Sequence, residues 1–136
     1  MTKEIWINLP VKDVDRSKEF FTKIGFPLNE QQSNEQMACF TVGEKNMTVL
    51  FFSEDAFREF TKADVAKAQT GAEVLISFDA ESREAVDETA RKVAEAGGTI
   101  FSEPGEIQGW MYGFGFADPD GHRWNQVFMD FGKLPK

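Results

Sequence analysis

The chain has 136 residues, 41% of them hydrophobic and 28% charged, the proportions of an ordinary single globular domain and not of a disordered or fibrous chain. Its formal charge of −8 opposes binding to a nucleic-acid backbone or an anionic membrane surface, and no apolar run approaches the roughly 20 residues of a membrane helix. A single cysteine, Cys39, excludes an internal disulfide, and the N-terminal stretch lacks a secretory pattern, so a cytoplasmic protein is expected.

The β-branched and aromatic run IWINLPV at residues 5–11 predicts a strand. A helix follows over VDRSKEFFTKI, with Asp13 or Asp15 as its cap, Val14, Phe20, Phe21 and Ile24 as its apolar stripe, and Gly25 as its stop. Three short strands are expected around residues 27–29, 36–42 and 47–52, with a turn at 43–46 between the last two. Cys39, within MACFTV, reads as a small core residue. Residues 54–71 read as a helical linker, with Phe57, Phe60, Val65 and Ala68 at mixed helical spacing.

The same order then recurs. A strand over residues 73–78 leads to a helix over REAVDETARKVAEA, capped by Ser82 and stopped by Gly97 and Gly98. Short strands at residues 99–101, 110–117 and 123–129 complete the half, and Pro119, Asp120 and Gly121 make the turn of the last hairpin. One domain, residues 1–136, is therefore expected as α+β, with βαβββ halves at about 4–53 and 72–131. Two such units must cover the free faces of their sheets, and a cupped mixed sheet with helices outside and a central pocket does so. The 14 phenylalanines and 3 tryptophans offer an aromatic lining for that pocket.

LPVKDVDRSKEFFTKIGF and FADPDGHRWNQVF resemble the two signature motifs of the vicinal oxygen chelate superfamily, which includes glyoxalase I, bleomycin-resistance proteins and extradiol dioxygenases. The first is carried by Val11, Asp13, Arg16, Ser17, Phe20, Phe21, Gly25 and Phe26, the second by Asp118, Pro119, Asp120, Gly121, His122 and Trp124. IWINLPV, EVLISFDAESREAVDE and MYGFGFADPDGHRW also look like a bacterial lactoylglutathione lyase-like branch. The resemblance implies a glyoxalase-like fold, a small organic ligand and a homodimer. Metal-dependent members carry His, Glu or Gln at four strand positions, which fall here on Trp6, within residues 49–51, on Glu73 and on Asn125. An indole donates only, residues 49–51 are apolar, and one carboxylate with one amide falls short of the three or four ligands that a first-row metal takes. The expectation is a family member without the standard metal site and without a cofactor.

Strand alternation adds Asn8 to the Trp6 face and Ser77 to the Glu73 face, polar groups suited to hydrogen bonding. The expected ligand-binding set is Trp6, Asn8, Glu73, Ser77, Trp110, Tyr112, Trp124 and Asn125, and residues 104–108 are a candidate mobile cover. Glu73 and His122 are the candidates for acid or base catalysis. Against them stand a solvated strand-end carboxylate for Glu73 and a hairpin-turn residue for His122. The leading reading is a binding protein for a small organic molecule; the alternative is a metal-dependent glyoxalase- or lyase-like enzyme using non-standard ligands. A third is a domain that serves chiefly in an assembly.

Overall fold

In the computed structural model, which describes residues 1–134, β1 (Ile7–Val11) leads into α1 (Val14–Lys23) through Asp13. The Asp13 carboxylate accepts the Arg16 backbone N–H at 3.1 Å, satisfying a donor that has no partner within the helix. Asp15, the other candidate cap, lies in the first turn, where its charge meets the positive end of the helix dipole. The strands β2 (Met37–Val42) and β3 (Met47–Ser53) complete a sheet of order β1-β3-β2, with β1 parallel and β2 antiparallel to β3. Beneath α1 lies a phenylalanine core. Phe21 is fully buried and its ring centroid lies 4.6 Å from Phe51, 4.9 Å from Phe20, 5.4 Å from Phe26 and 5.9 Å from Phe40.

The strand expected at residues 27–29 is reduced to a single bridge between Leu28 and Phe40. Pro27 has no N–H to offer a ladder, and the Asn29 side chain accepts the Gln32 N–H at 3.2 Å, pulling the chain into a 3₁₀ turn at Glu30–Gln32. The linker also differs from its expectation. The helix α2 (Glu54–Thr61), capped by Ser53, ends at Lys62 in the left-handed region and packs against β1 and β3. It thus belongs to the first of two compact units, Met1–Lys67 and Ala68–Lys136.

In the second unit β4 (Leu75–Asp79) and α3 (Arg83–Ala96) are followed by β5 (Thr99–Ile107), β6 (Met111–Ala117) and β7 (Arg123–Met129). The sheet order is β4-β7-β6-β5, with β4 parallel to β7, so first and last strands pair in parallel in both units. The Ser82 hydroxyl accepts the Ala85 N–H at 3.0 Å, and Val86, Ala90 and Val93 form the buried stripe of α3. Each unit alone is α+β with a mixed sheet. β5 is longer than predicted: it absorbs Pro104 and Gly105 through two irregularities of register, which an edge strand tolerates. Residues 105–107 are therefore paired in the sheet, with Pro104 in the irregularity before them, and do not form the expected cover; the chain turns at Gln108 and Gly109, both with positive φ. Among the described residues no helix is long and apolar enough to cross a membrane.

Gly113 and Gly115 alternate with Tyr112, Phe114 and Phe116 along β6, and their two close approaches differ in kind. A Cβ at Gly113 would lie 2.5 Å from the backbone oxygen of Gln126 on the paired strand, which cannot give way without breaking the ladder. One at Gly115 would meet the Phe101 ring at 2.5 Å, and that ring is a half-exposed side chain, which gives way at less cost than backbone. Gly113→Ala is expected to cost about 1–3 kcal/mol and Gly115→Ala clearly less, as read from urea unfolding curves. Equal costs would contradict this account.

Candidate functional site

Side chains alternate across β3, so Val49 and Phe51 lie buried in the α1 core while Leu50 and Phe52 occupy the opposite face. Over that opposite face lies α2. Phe57, Phe60 and Thr61 from α2 enclose, with Trp6, Asn8, Leu50 and Phe52, a cleft of about 540 Å³. Asn8 and Leu50 are register partners, which places the amide beside an otherwise apolar wall. The Phe60 ring meets Phe52 edge-on at 5.1 Å, yet Phe60 is 71% exposed and Trp6 51% exposed, an unusual amount of aromatic surface for water to wet. Two residues expected to bind ligand, Trp6 and Asn8, are thus brought together. Phe52, Phe57 and Phe60 were absent from that expectation, although Ser53 as a cap and the i, i+3 spacing of Phe57 and Phe60 were a visible signal.

The second sheet has two contrasting faces. Ile76, Phe78, Phe114, Phe116, Trp124 and Gln126 share one by register, and α3 packs across β5, β6 and β7. Trp124 is 1% exposed and stacks on Phe116, with centroids 6.4 Å apart. Tyr112 follows the same alternation: its hydroxyl donates to Asp87 Oδ1 on α3 at 2.7 Å, which holds the phenolic proton above its ordinary range. Trp110 lies in the turn before β6, its ring 6.0 Å from that of Phe131. Tyr112 and Trp124, both in the expected ligand-binding set, therefore share the face that α3 covers, and the glycines of β6 face the other way.

That other face carries Leu75, Ser77, Asn125, Gly113 and Gly115. Asn125 is the direct register partner of Ser77 on one side and Gly115 on the other. It lines a cleft of about 180 Å³ with Leu75, Phe101, Glu103, Glu106, Ile107 and the glycines Gly105, Gly113 and Gly115. The Phe101 ring lies in the slot left open at Gly115, and the Arg123 guanidinium stacks over it at 4.4 Å. Asn125 Oδ1 is buried and accepts no hydrogen bond. Ser77 is exposed.

β4 starts two residues later than predicted, which leaves Glu73 exposed outside the strand, on a shallow cleft with residues 69–75, Phe101 and Arg123. His122 does not line that cleft. Instead it belongs to the turn built on Asp118, whose Oδ1 accepts the backbone N–H groups of Asp120 and His122, each at 3.0 Å, while Oδ2 accepts the Trp124 indole N–H at 3.2 Å. Burial pushes the Asp118 carboxyl up to about 6, against the pull of the neighbouring His122 charge and of these donors. The turn closes through Gly121, whose φ of +92° and contact with the backbone of residues 68 and 69 leave no room for a side chain. Sequence reading took Asp118 only as a motif letter; its work is to organise the turn.

The donor positions of metal-dependent relatives can now be tested within each unit. The first offers Trp6 and the apolar residues 49–51, and the second offers Glu73 and Asn125, which line different clefts. Among the described residues no three His, Cys, Asp or Glu side chains come together as a metal-holding group. This set does not fit a first-row metal, which needs three or four N or O donors with charge neutralisation.

Comparison with known proteins agrees with this architecture. The chain is similar over 94% of its length, and 94% of the other, to a hypothetical protein from S. aureus, with 32% identity and a TM-score of 0.83. A genomically encoded fosfomycin resistance protein from Listeria monocytogenes shares the fold at 20% identity, covering 100% of this chain and 95% of that one, with a TM-score of 0.70. A lactoylglutathione lyase from Agrobacterium tumefaciens does so at 18% identity, covering 93% and 94%, with a TM-score of 0.66. No curated protein matches the sequence at a significant level. The family model of the Glyoxalase/Bleomycin resistance protein/Dioxygenase superfamily matches residues 5–125, and the chain belongs to that superfamily.

Proposed function

We propose that this chain binds a small, flat organic molecule in the aromatic cleft of its first unit and that it does so without the metal of the lyase-type relatives. The observation that carries the reading is the 540 Å³ cleft itself, of the size that holds small ligands, with several aromatic side chains and one amide converging on it. Trp6, Phe52, Phe57 and Phe60 would stack on or edge against a planar ring, and Asn8 would fix its orientation through one hydrogen bond. Membership of a superfamily whose members handle small molecules supports the same class of ligand. The donor set discussed above supports binding without a family-type metal, and with it a role in sequestering or sensing, not in metal-assisted turnover.

Trp6 makes the reading testable, because it is the one tryptophan in the lining of the cleft. A panel of planar aromatic compounds, thiol adducts and aromatic antibiotics is expected to include ligands that raise the melting temperature by mass action and quench Trp6 emission. Trp6→Ala is expected to weaken such a ligand about tenfold, the loss of about 1.4 kcal/mol of stacking, with an unchanged circular dichroism spectrum. Ligands that bind Trp6→Ala and Phe60→Ala as tightly as the parent would sink the proposed cleft. Stoichiometric nickel, zinc, iron or manganese in protein purified without chelator would overturn the metal-free part.

A further inference from the structure

The aromatic cleft of the first unit takes its chemical character from what its lining contains and what it lacks. Four of its side chains are aromatic, Trp6, Phe52, Phe57 and Phe60, against one aliphatic, Leu50. An aliphatic wall offers a ligand shelter from water, whereas ring faces carry negative quadrupole charge and also attract a cation. Among the described residues no Asp, Glu, Lys or Arg lines the cleft, so an anion finds no counter-charge there. Lys62 follows α2 but stands outside the lining, and Arg58 is paired with Asp55 at 2.9 Å. Hydrogen-bond acceptors are scarce as well. The Thr61 hydroxyl is committed to Ala63, accepting its N–H at 3.2 Å and donating to its carbonyl at 3.3 Å. Asn8 is then the polar side chain that remains in the lining. Because α2 ends at Thr61, the negative end of its dipole borders the cleft.

Resting on the reading of this cleft as a ligand site, we propose that its ligand is a small organic cation without N–H groups, a quaternary ammonium on a planar ring. A primary ammonium has three N–H groups and a guanidinium five, and entry would strip their water in exchange for one amide oxygen. A quaternary ammonium has none, so it forfeits no such bonds and gains the attraction of the rings. A neutral ligand of the same shape gains the burial of apolar area without that attraction. The cleft of about 540 Å³ holds a single ring bearing a trimethylammonium group, and Asn8 is placed to bind one polar substituent on the ring.

The test titrates three probes into the full chain at neutral pH: (3-hydroxyphenyl)trimethylammonium, its neutral isostere 3-tert-butylphenol, and the N–H cation formed by 3-(aminomethyl)phenol. Isothermal calorimetry gives the affinities, and the indole N–H signal of Trp6 gives the place of binding. The quaternary cation is expected to bind about three- to tenfold more tightly than either of the others and to shift the Trp6 signal. Trp6→Leu and Phe60→Leu keep an apolar wall and remove ring faces. Each should weaken the quaternary cation about threefold or more and leave the isostere within about twofold. Equal or tighter binding of the isostere or of the primary ammonium would overturn the cation class, while leaving the cleft a site for flat ligands. Equal losses for cation and isostere in the leucine variants would do the same. If no compound of the planar panel binds either, the reading of the cleft itself fails and this assignment falls with it.

Discussion

Asp118→Ala is expected to destabilise the protein by about 3 kcal/mol, because it withdraws one acceptor from three N–H groups at once in the closing turn of the second sheet. The same residue predicts an effect of pH. Its carboxyl titrates at about 6 in the folded protein, against an ordinary value of 3.8, because burial disfavours the charge. The folded chain therefore holds this proton more tightly than the unfolded chain does. The resulting stability is fully present below pH 3.8 and is lost as pH rises through 6. A shift of this size corresponds to about 3 kcal/mol over the whole window, and to about 1 kcal/mol between about pH 5 and about pH 7.5. Asp118→Asn keeps an oxygen for the two backbone donors but does not titrate, so it isolates this effect from the other acidic groups of a chain with charge −8. Urea unfolding at a series of pH values should show the parent losing stability relative to Asp118→Asn over that interval. Parallel pH profiles would mean that Asp118 is not the titrating group.

Phe21→Ala should be at least as damaging, at about 3–5 kcal/mol. The ring is wholly buried, and it packs at once against rings from α1, from Phe26 just beyond it, and from β2 and β3. Its removal takes away transfer energy and leaves a cavity whose aromatic walls are tied to strands and cannot collapse far. For a domain stable by about 5–15 kcal/mol this is a large share, so Phe21→Leu, with a smaller void, serves as the foldable companion. Chemical denaturation should rank the parent above Phe21→Leu and Phe21→Leu above Phe21→Ala. Amide exchange should show the loss in β1, β2 and β3. A cost below about 1 kcal/mol for alanine would mean that the cluster is not the core of this unit.

Much of the fold was legible because its determinants are local. Ser82 followed by the Ala85, Val86, Ala90 and Val93 stripe marks α3 to the residue, and Asp118 to Gly121 marks the turn before β7, since capping and turn chemistry act within four residues. The strand expected at residues 27–29, which is reduced to the Leu28 bridge, and the late start of β4 are failures of β propensity alone, which says that a segment suits a sheet without saying that a partner is there to pair. The candidate sites divide in the same way. The weakness of the metal donor set follows from residue identity at Trp6, Glu73 and Asn125, and needs no coordinates.

By itself the sequence determined the order of elements, their caps and the superfamily, all of which rest on residue type and short-range spacing. The tertiary structure decided which way the residues face. Alternation along β6 separates Tyr112, Phe114 and Phe116 from Gly113 and Gly115, but only the position of α3 makes the aromatic side core and leaves the glycine side open beside Asn125. Likewise only the folding of α2 back over β1 and β3 turns Phe57 and Phe60 into the lining of a cleft that contains Trp6. A period of two residues sorts side chains into two faces, and it takes a contact distant in sequence to choose which of them is buried.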